Sequence, residues 1–531
     1  MLSRTEKGQD VITELGHELL ARFVTDTRAP VYALRESLPS AISAAAMARL
    51  SRCADDLRVI ILREFCPSFP AIKSETGKEQ ELLRRVITAY GDDSVQQLAG
   101  LYVVVQCASN LLTKLLERPR IGAAYLEQST RYIFFDQMVQ AEDGQSHYRY
   151  HVPAELSAED QAEYRQSMDA LFERYGRVVY RLHEFLVGTS SEPRESRDLA
   201  WRNAIRAQAC DAARAMLPAA TTSTVGIFAS AQALDSLIMH LSGSHLSEAR
   251  QTGADILAQV RQVAPVFFER TDMLERGAAT TAYLRRTADD FASKCQASAS
   301  FRPTTTPTAP VTLTAWWPED ERSIVSALAF AAGYELVSEP SDKEIQEWLA
   351  AYAGERLNRR HRPGRIFEDP HYTFNFRTAY AEFRDLQRHR LVDGFEWQQL
   401  QPGDDYEVPD LIAKAGLETL YHESFAQSRE LHSRLSSYGS AVAQYAVLFG
   451  HKLNWRWTLN FREAMHVIEL RTTPQGHPSY RRICQAMYEQ ISSVHPHLAA
   501  TMRFVNCGED PELTRLAAER ATAAKLNNFG K

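Results

Sequence analysis

The sequence predicts an α+β chain organised as two related halves joined by a linker. Three observations carry that expectation. Helix-period apolar patterns, broken by Gly and Pro, fill most of the chain. Residues 372–400 switch from strand-like alternation (Tyr372, Phe374, Phe376) to a helical pattern with Ala379, Phe383 and Leu386 on one face. Residues 296–313, QASASFRPTTTPTAPVTL, are rich in Ser, Thr and Pro and poor in core-formers, and the order of elements before them is repeated after them.

At 531 residues the chain is long enough for two or three cores. Its apolar and charged fractions, 44% and 24%, are those of an ordinary globular protein. The net charge of −7 provides no basic field for a nucleic-acid polymer. Seven scattered cysteines without a CxxC pair read as reduced structural thiols of a cytosolic protein, against a disulfide framework or zinc site. No apolar run reaches the roughly 18 residues that a membrane span needs. The first 20 residues read as an amphipathic helix rather than a signal peptide.

In order, helices are expected within 33–65 and over 79–90, then a long buried one over 98–116 that Pro119 closes. Glu127, Ser129 and Arg131 alternate, so an extended segment would put an acceptor, a hydroxyl and a guanidinium on one face. That face suits a sugar phosphate or a plain polar strand edge. Helices follow over 158–187, over 198–216 with Arg214 just before Leu217-Pro218, over 229–241, over 246–268 and on to about Cys295. Beyond the linker they cover 320–334 and 342–358.

Arg388-His389-Arg390 then ends a helix beside Asp393-Gly394. Such a cluster is either a solvated basic helix end or a seat for a diphosphate. Near Arg462 the periodicity sets Phe461, Ala464, Met465 and Ile468 toward a core, with Arg462, His466 and Glu469 on another face. That second face is either a salt-bridge ladder, Glu469 to His466, or a ligand-facing row. His495-Pro-His497 reads as a turn, since no third metal ligand accompanies it.

Together these stretches resemble the flavin-dependent thymidylate synthases, the ThyX family, whose signature is close to RHRxxSxNExSxRY with an ARxxLP segment and a later NxR…H helix. The first half keeps ExSxRY as Glu127, Ser129, Arg131 and Tyr132, and ARxxLP with Arg214. It departs at Arg118-Pro119-Arg120, with one extra residue before Glu127, at 90–98 where the family has a His-rich segment, and at Gln232 and Ser236. The second half keeps Arg388-His389-Arg390, Asn460, Arg462 and His466. Its ExSxRY has become Glu396-Trp-Gln-Gln-Leu-Gln401, and Gln444 stands where the ARxxLP arginine would be.

The resemblance implies two fused units, each a mainly antiparallel sheet packed with long helices, over 1–300 and 313–531 with the linker at 301–312. It implies C5-methylation of a uridine nucleotide, dUMP or UMP, with FAD, methylenetetrahydrofolate and NADPH as reductant. By the same resemblance Arg462 polarises the pyrimidine as the catalytic residue. Glu127, Ser129, Arg131 and Arg214 hold the nucleotide, and Arg388, His389, Arg390, Asn460 and His466 face FAD. His361, Arg362 and Glu368 stand in for the altered His-rich segment. ThyX-like proteins that methylate UMP in nucleoside-antibiotic pathways are similar in kind. The losses in the two halves are complementary, which implies a homodimer that mimics the family tetramer with half its sites intact. A flavoprotein without folate chemistry and a non-catalytic nucleotide-binding protein stay open as other classes.

Overall fold

The structure, a computed structural model, describes residues 1–4, 10–29, 32–35, 37–50, 55–65, 93–119, 121–131, 133–140, 146–302 and 309–529. The helix expected over 79–90, together with Cys53, Cys66, Arg120 and Tyr132, lies outside them. The described chain mixes helices with antiparallel strand pairs, the α+β class. It divides into two compact units: residues 1–106, 115–127 and 224–302 form one, and residues 107–114, 128–223 and 303–531 the other. The second unit therefore draws on both sides of the linker.

A three-stranded sheet, most of whose residues belong to the first unit, runs in the order Gly100–Ser109, Thr222–Ser230, Ala123–Glu127. Two expectations are corrected here. Residues 98–116 are not one helix but the strand Gly100–Ser109 followed by the short helix Asn110–Leu116. The Leu101-Tyr-Val-Val-Val run is β-branched and aromatic, and suits a pleated surface better than a helix. The chain start is likewise a small hairpin, Leu2–Arg4 against Asp10–Ile12, ahead of a helix at Glu14–Leu20 that Thr13 caps.

In the second unit the sheet order is Gly394–Trp397, Lys452–Asn460, His371–Ala379, Val311–Trp317, with every neighbour antiparallel. One face carries an aromatic plate. Phe376 stacks on Trp455 at 3.7 Å between ring centroids, and Phe383, Phe395, Trp397 and Trp457 pack around them. Phe383 belongs to the helix Tyr380–Leu386, so the plate fixes that helix and the basic residues that follow it. The helix Phe461–Arg471 buries Phe461, Ala464, Met465 and Ile468, the stripe that the sequence periodicity predicts.

A local two-fold relation runs through the second unit. Residues 215–220 and 445–450 pair antiparallel around Pro218 and Leu448. Ala219 N–H donates to Val447 O and Phe449 N–H to Leu217 O; Ala220 N–H donates to Tyr445 O and Gly450 N–H to Ala215 O. With Pro218 matched to Leu448, each bond has its counterpart, the arrangement that two copies of one motif make when they meet.

Deleting the stacked indole should leave a cavity under the site. Trp455→Ala is expected to destabilise the protein by about 3–5 kcal/mol, read as a lower urea midpoint.

Candidate functional site

The helix Leu199–Ala213 tightens into a 3-10 turn at Arg214–Met216, which sets Asp211 and Arg214 one turn apart on the same side. Arg131 meets Asp211 through a full fork, Nε to Oδ1 at 2.7 Å and Nη2 to Oδ2 at 2.6 Å. Its Nη1 donates to Tyr480 Oη at 3.2 Å. The guanidinium edge expected to hold a phosphate is thus filled by a carboxylate of the chain itself.

Arg214 differs. It is 2% exposed, and its Nη2 lies 2.8 Å from Asp385 Oδ2. The contact is short but off-line. Arg214 Nε and Nη2 and Asp385 Oδ2 are all buried, and none of them has a directed hydrogen bond among the described residues. Burial pushes the Asp385 carboxyl up, yet the charges of Arg214, Arg131, Arg388 and Arg471 outweigh it and hold the group far below the usual range. Asp385 is therefore a carboxylate and purely an acceptor.

Arg471 braces this helix from behind, donating from Nη2 to the Asp385 carbonyl at 2.7 Å and from Nε to His389 Nε2 at 2.8 Å. His477 caps the helix Pro478–Val494 by accepting the Ser479 N–H, and its Nε2 donates to Asp211 O at 3.3 Å. Burial and the nearby Arg214 depress it to about 3, so it is neutral.

A second cluster adjoins His389. Its Nδ1 lies 3.5 Å from Glu463 Oε1, and its ring centroid is 5.6 Å from that of His466. The ligating atoms of His389, Glu463 and His466 fall within 4.8 Å of one another, which would admit a metal ion. The chemistry opposes one. Arg471 donates to His389 Nε2, so the ring proton sits on Nδ1, the nitrogen that a metal would need. Burial followed by Arg362, Arg359 and Arg471 also depresses His466 to about 4, which marks a positive surround. Burial pushes Glu463 up to about 8.

The remaining candidates are more dispersed. Arg462 donates from Nε to Pro363 O at 2.8 Å and pairs with Glu368 at 3.0 Å. Asn460 caps its helix by accepting the Glu463 N–H. Glu469 does not ladder to His466, since it lies in a buried bidentate pair with Arg356 at 2.6 Å. Ser129 Oγ accepts the Arg131 N–H within a turn. The strand ends at Glu127, so Glu127, Ser129 and Arg131 do not share one strand face. Arg388 is exposed, His389 buried and Arg390 intermediate. His495 is structural, with Nδ1 on Tyr372 Oη and Nε2 on Pro318 O.

The strands also correct the match between halves. Ser230 and Asn460 are corresponding N-caps, and counting back along the strands pairs Val225 with Trp455. Glu127 faces Val225 and Trp397 faces Trp455, so Trp397 rather than Glu396 stands at the Glu127 position, Gln399 at Ser129 and Gln401 at Arg131. In this register the spacing from Arg118 to Glu127 equals that from Arg388 to Trp397, so the two halves share the extra residue. The second-half segment is tied to Gln444, whose Oε1 accepts the Leu400 N–H at 2.9 Å.

A sequence model of the family described as "Thymidylate synthase complementing protein" matches residues 36–266 and 312–497, one stretch on each side of the linker. The chain belongs to this ThyX family, as a tandem member. A UPF0159 protein of Chlamydia pneumoniae is 26% identical over 518 residues, covering 94% of this chain and 96% of its own. One from Thermoplasma acidophilum is 31% identical over 511 residues, covering 90% and 97%. Among solved structures, the UMP/dUMP methylase PolB from Streptomyces cacaoi, bound with 5-Br dUMP, aligns at 18% identity and a TM-score of 0.31, covering 37% of this chain and 94% of its own.

Sequence reasoning missed Asp211, Asp385, Glu463, Arg471 and His477. The signal for Asp385 was present in its position one helical turn before Arg388. Glu463 yields a test. Its folded-state value near 8, against the ordinary 4.5, means that the native state binds this proton more tightly than the unfolded chain does. Its contribution to stability is therefore lost as pH rises from about 4.5 to 8. Urea midpoints should fall over that window, and Glu463→Gln should flatten the fall.

Proposed function

We propose that the protein is a flavin-dependent uridylate C5-methyltransferase with one working composite site per chain. The observation that carries this reading is the meeting of Arg214, from before the linker, with Asp385 and the Arg388–Arg390 segment after it, while the matched position carries Gln444 tied to Leu400. Membership of the ThyX family supplies the reaction class.

The residues present fit an anionic dinucleotide cofactor. Arg359, Arg362 and Arg471 act together on His466, and His389 is held neutral with a defined tautomer. FAD would be held by Arg388, His389, Arg390 and His466, with Arg362 in support. When bound, reduced flavin supplies reducing equivalents, methylenetetrahydrofolate the carbon, and NADPH restores the flavin. The chain itself binds and polarises. Arg214 holds an anionic part of the nucleotide in a dry setting, where a charge-assisted bond is strong. Arg462, steadied by Glu368, stabilises charge developing on pyrimidine oxygens. Two such chains form the homodimer that replaces a tetramer.

A second reading has support of its own. Asp211 fills the Arg131 fork, so a flavin- or nucleotide-binding protein that has lost methyl transfer fits the same cluster.

The purified protein should show a flavin spectrum, and after anaerobic reduction it should convert dUMP or UMP with methylenetetrahydrofolate to the C5-methyl product. Bound flavin without methylated product would select the second reading. Arg462→Ala should lower kcat/KM by about 100-fold or more, whereas Arg118→Ala, in the degenerate set, should change it by less than about threefold. Equal losses would remove the division of labour.

A further inference from the structure

Asp385 is a buried carboxylate at the centre of the cluster, and the reading above gives it no task. Three features make it unusual. It is charged, because Arg214, Arg131, Arg388 and Arg471 bear on it. Among the described residues its Oδ2 accepts no directed hydrogen bond, although it is buried beside Arg214. The adjacent Nε and Nη2 of Arg214 are equally without a directed partner. Buried acceptors and donors in this condition carry a desolvation penalty until something meets them. Here a donor fork and a bare acceptor lie 2.8 Å apart, so what meets them offers an acceptor and a donor side by side.

We propose that Asp385 is the specificity-determining residue of the nucleotide site, accepting a hydrogen bond from a sugar hydroxyl of the ligand whose phosphate engages Arg214. A sugar phosphate has the required pair, an anionic oxygen for the guanidinium and a hydroxyl proton for the carboxylate. Carboxylates read ribose hydroxyls in this way in dinucleotide-binding folds. A dianion alone would satisfy Arg214 but leave Oδ2 bare. The Arg131 fork is already closed by Asp211, which leaves Arg214 and Asp385 as the buried charged pair of this cluster whose directed bonds are unmet among the described residues. The inference rests on the nucleotide-binding part of the proposed function and adds to it the group that is read.

The test is calorimetric titration of the full chain with UMP, dUMP and 2′,3′-dideoxyuridine 5′-phosphate. Wild-type protein should lose roughly tenfold or more in affinity when the hydroxyl that Asp385 reads is absent, the worth of a hydrogen bond to a charged group. Asp385→Asn should bind the hydroxylated and dideoxy ligands within about threefold of each other, so the two losses do not add. Should that variant fail to fold, the wild-type series still decides. Equal binding of all three nucleotides by wild-type protein would overturn the role of Asp385 while leaving the nucleotide site standing. No binding of any nucleotide would overturn that site and this inference with it.

Discussion

Burying four charges in one place is the constraint on which the rest of the second unit depends. Arg131, Asp211, Arg214 and Asp385 are each less than one-tenth exposed. Two carboxylates and two guanidiniums taken out of water survive through mutual pairing, and removal of one partner typically costs about 3–5 kcal/mol. Everything nearby serves that pairing. The aromatic plate fixes the helix that carries Asp385, Arg471 braces it, and the turn after Ala213 aims Arg214 at it. The cluster also settles electrostatics at a distance. Arg214 and Arg131, with Arg388 and Arg471 beyond the four, keep Asp385 ionised, and burial followed by Arg214 keeps His477 neutral.

The pairing of residues 215–220 with 445–450 brings the Arg214 and Gln444 turns of the two repeats together around a local two-fold axis. When two copies of a motif meet around Pro218 and Leu448, each arginine position lies near the partner copy's equivalents. Arg214 kept a carboxylate opposite it, in Asp385. Its counterpart became Gln444, which closes the loop at Leu400 with a neutral hydrogen bond and needs no charge compensation.

Much of this was readable in the sequence. The stripe Phe461, Ala464, Met465 and Ile468 announced its buried face by spacing alone, and the strand-to-helix switch at 372–386 appears where the period changes. Tandem family membership was carried by complementary motifs. What failed did so for physical reasons. The run after Leu98 is apolar on nearly every residue, so periodicity could not separate a buried helix from a strand, and β-branched content decided. For Arg131 a linear motif could not show its structural partner, since Asp211, far along the chain, fills its fork. The Glu396 match slipped by one residue because a register is set by the partner strand, which a motif comparison does not contain. Asp385 and Glu463 lay in plain view, but their meaning depends on burial.

The central claim is that each chain carries one competent nucleotide site built across both repeats. Isothermal titration of the full chain with UMP or dUMP measures it directly as a stoichiometry. One nucleotide bound per chain is the predicted result. Two per chain would contradict the account, since the second would have to occupy the set that Gln444, Leu400 and Trp397 define.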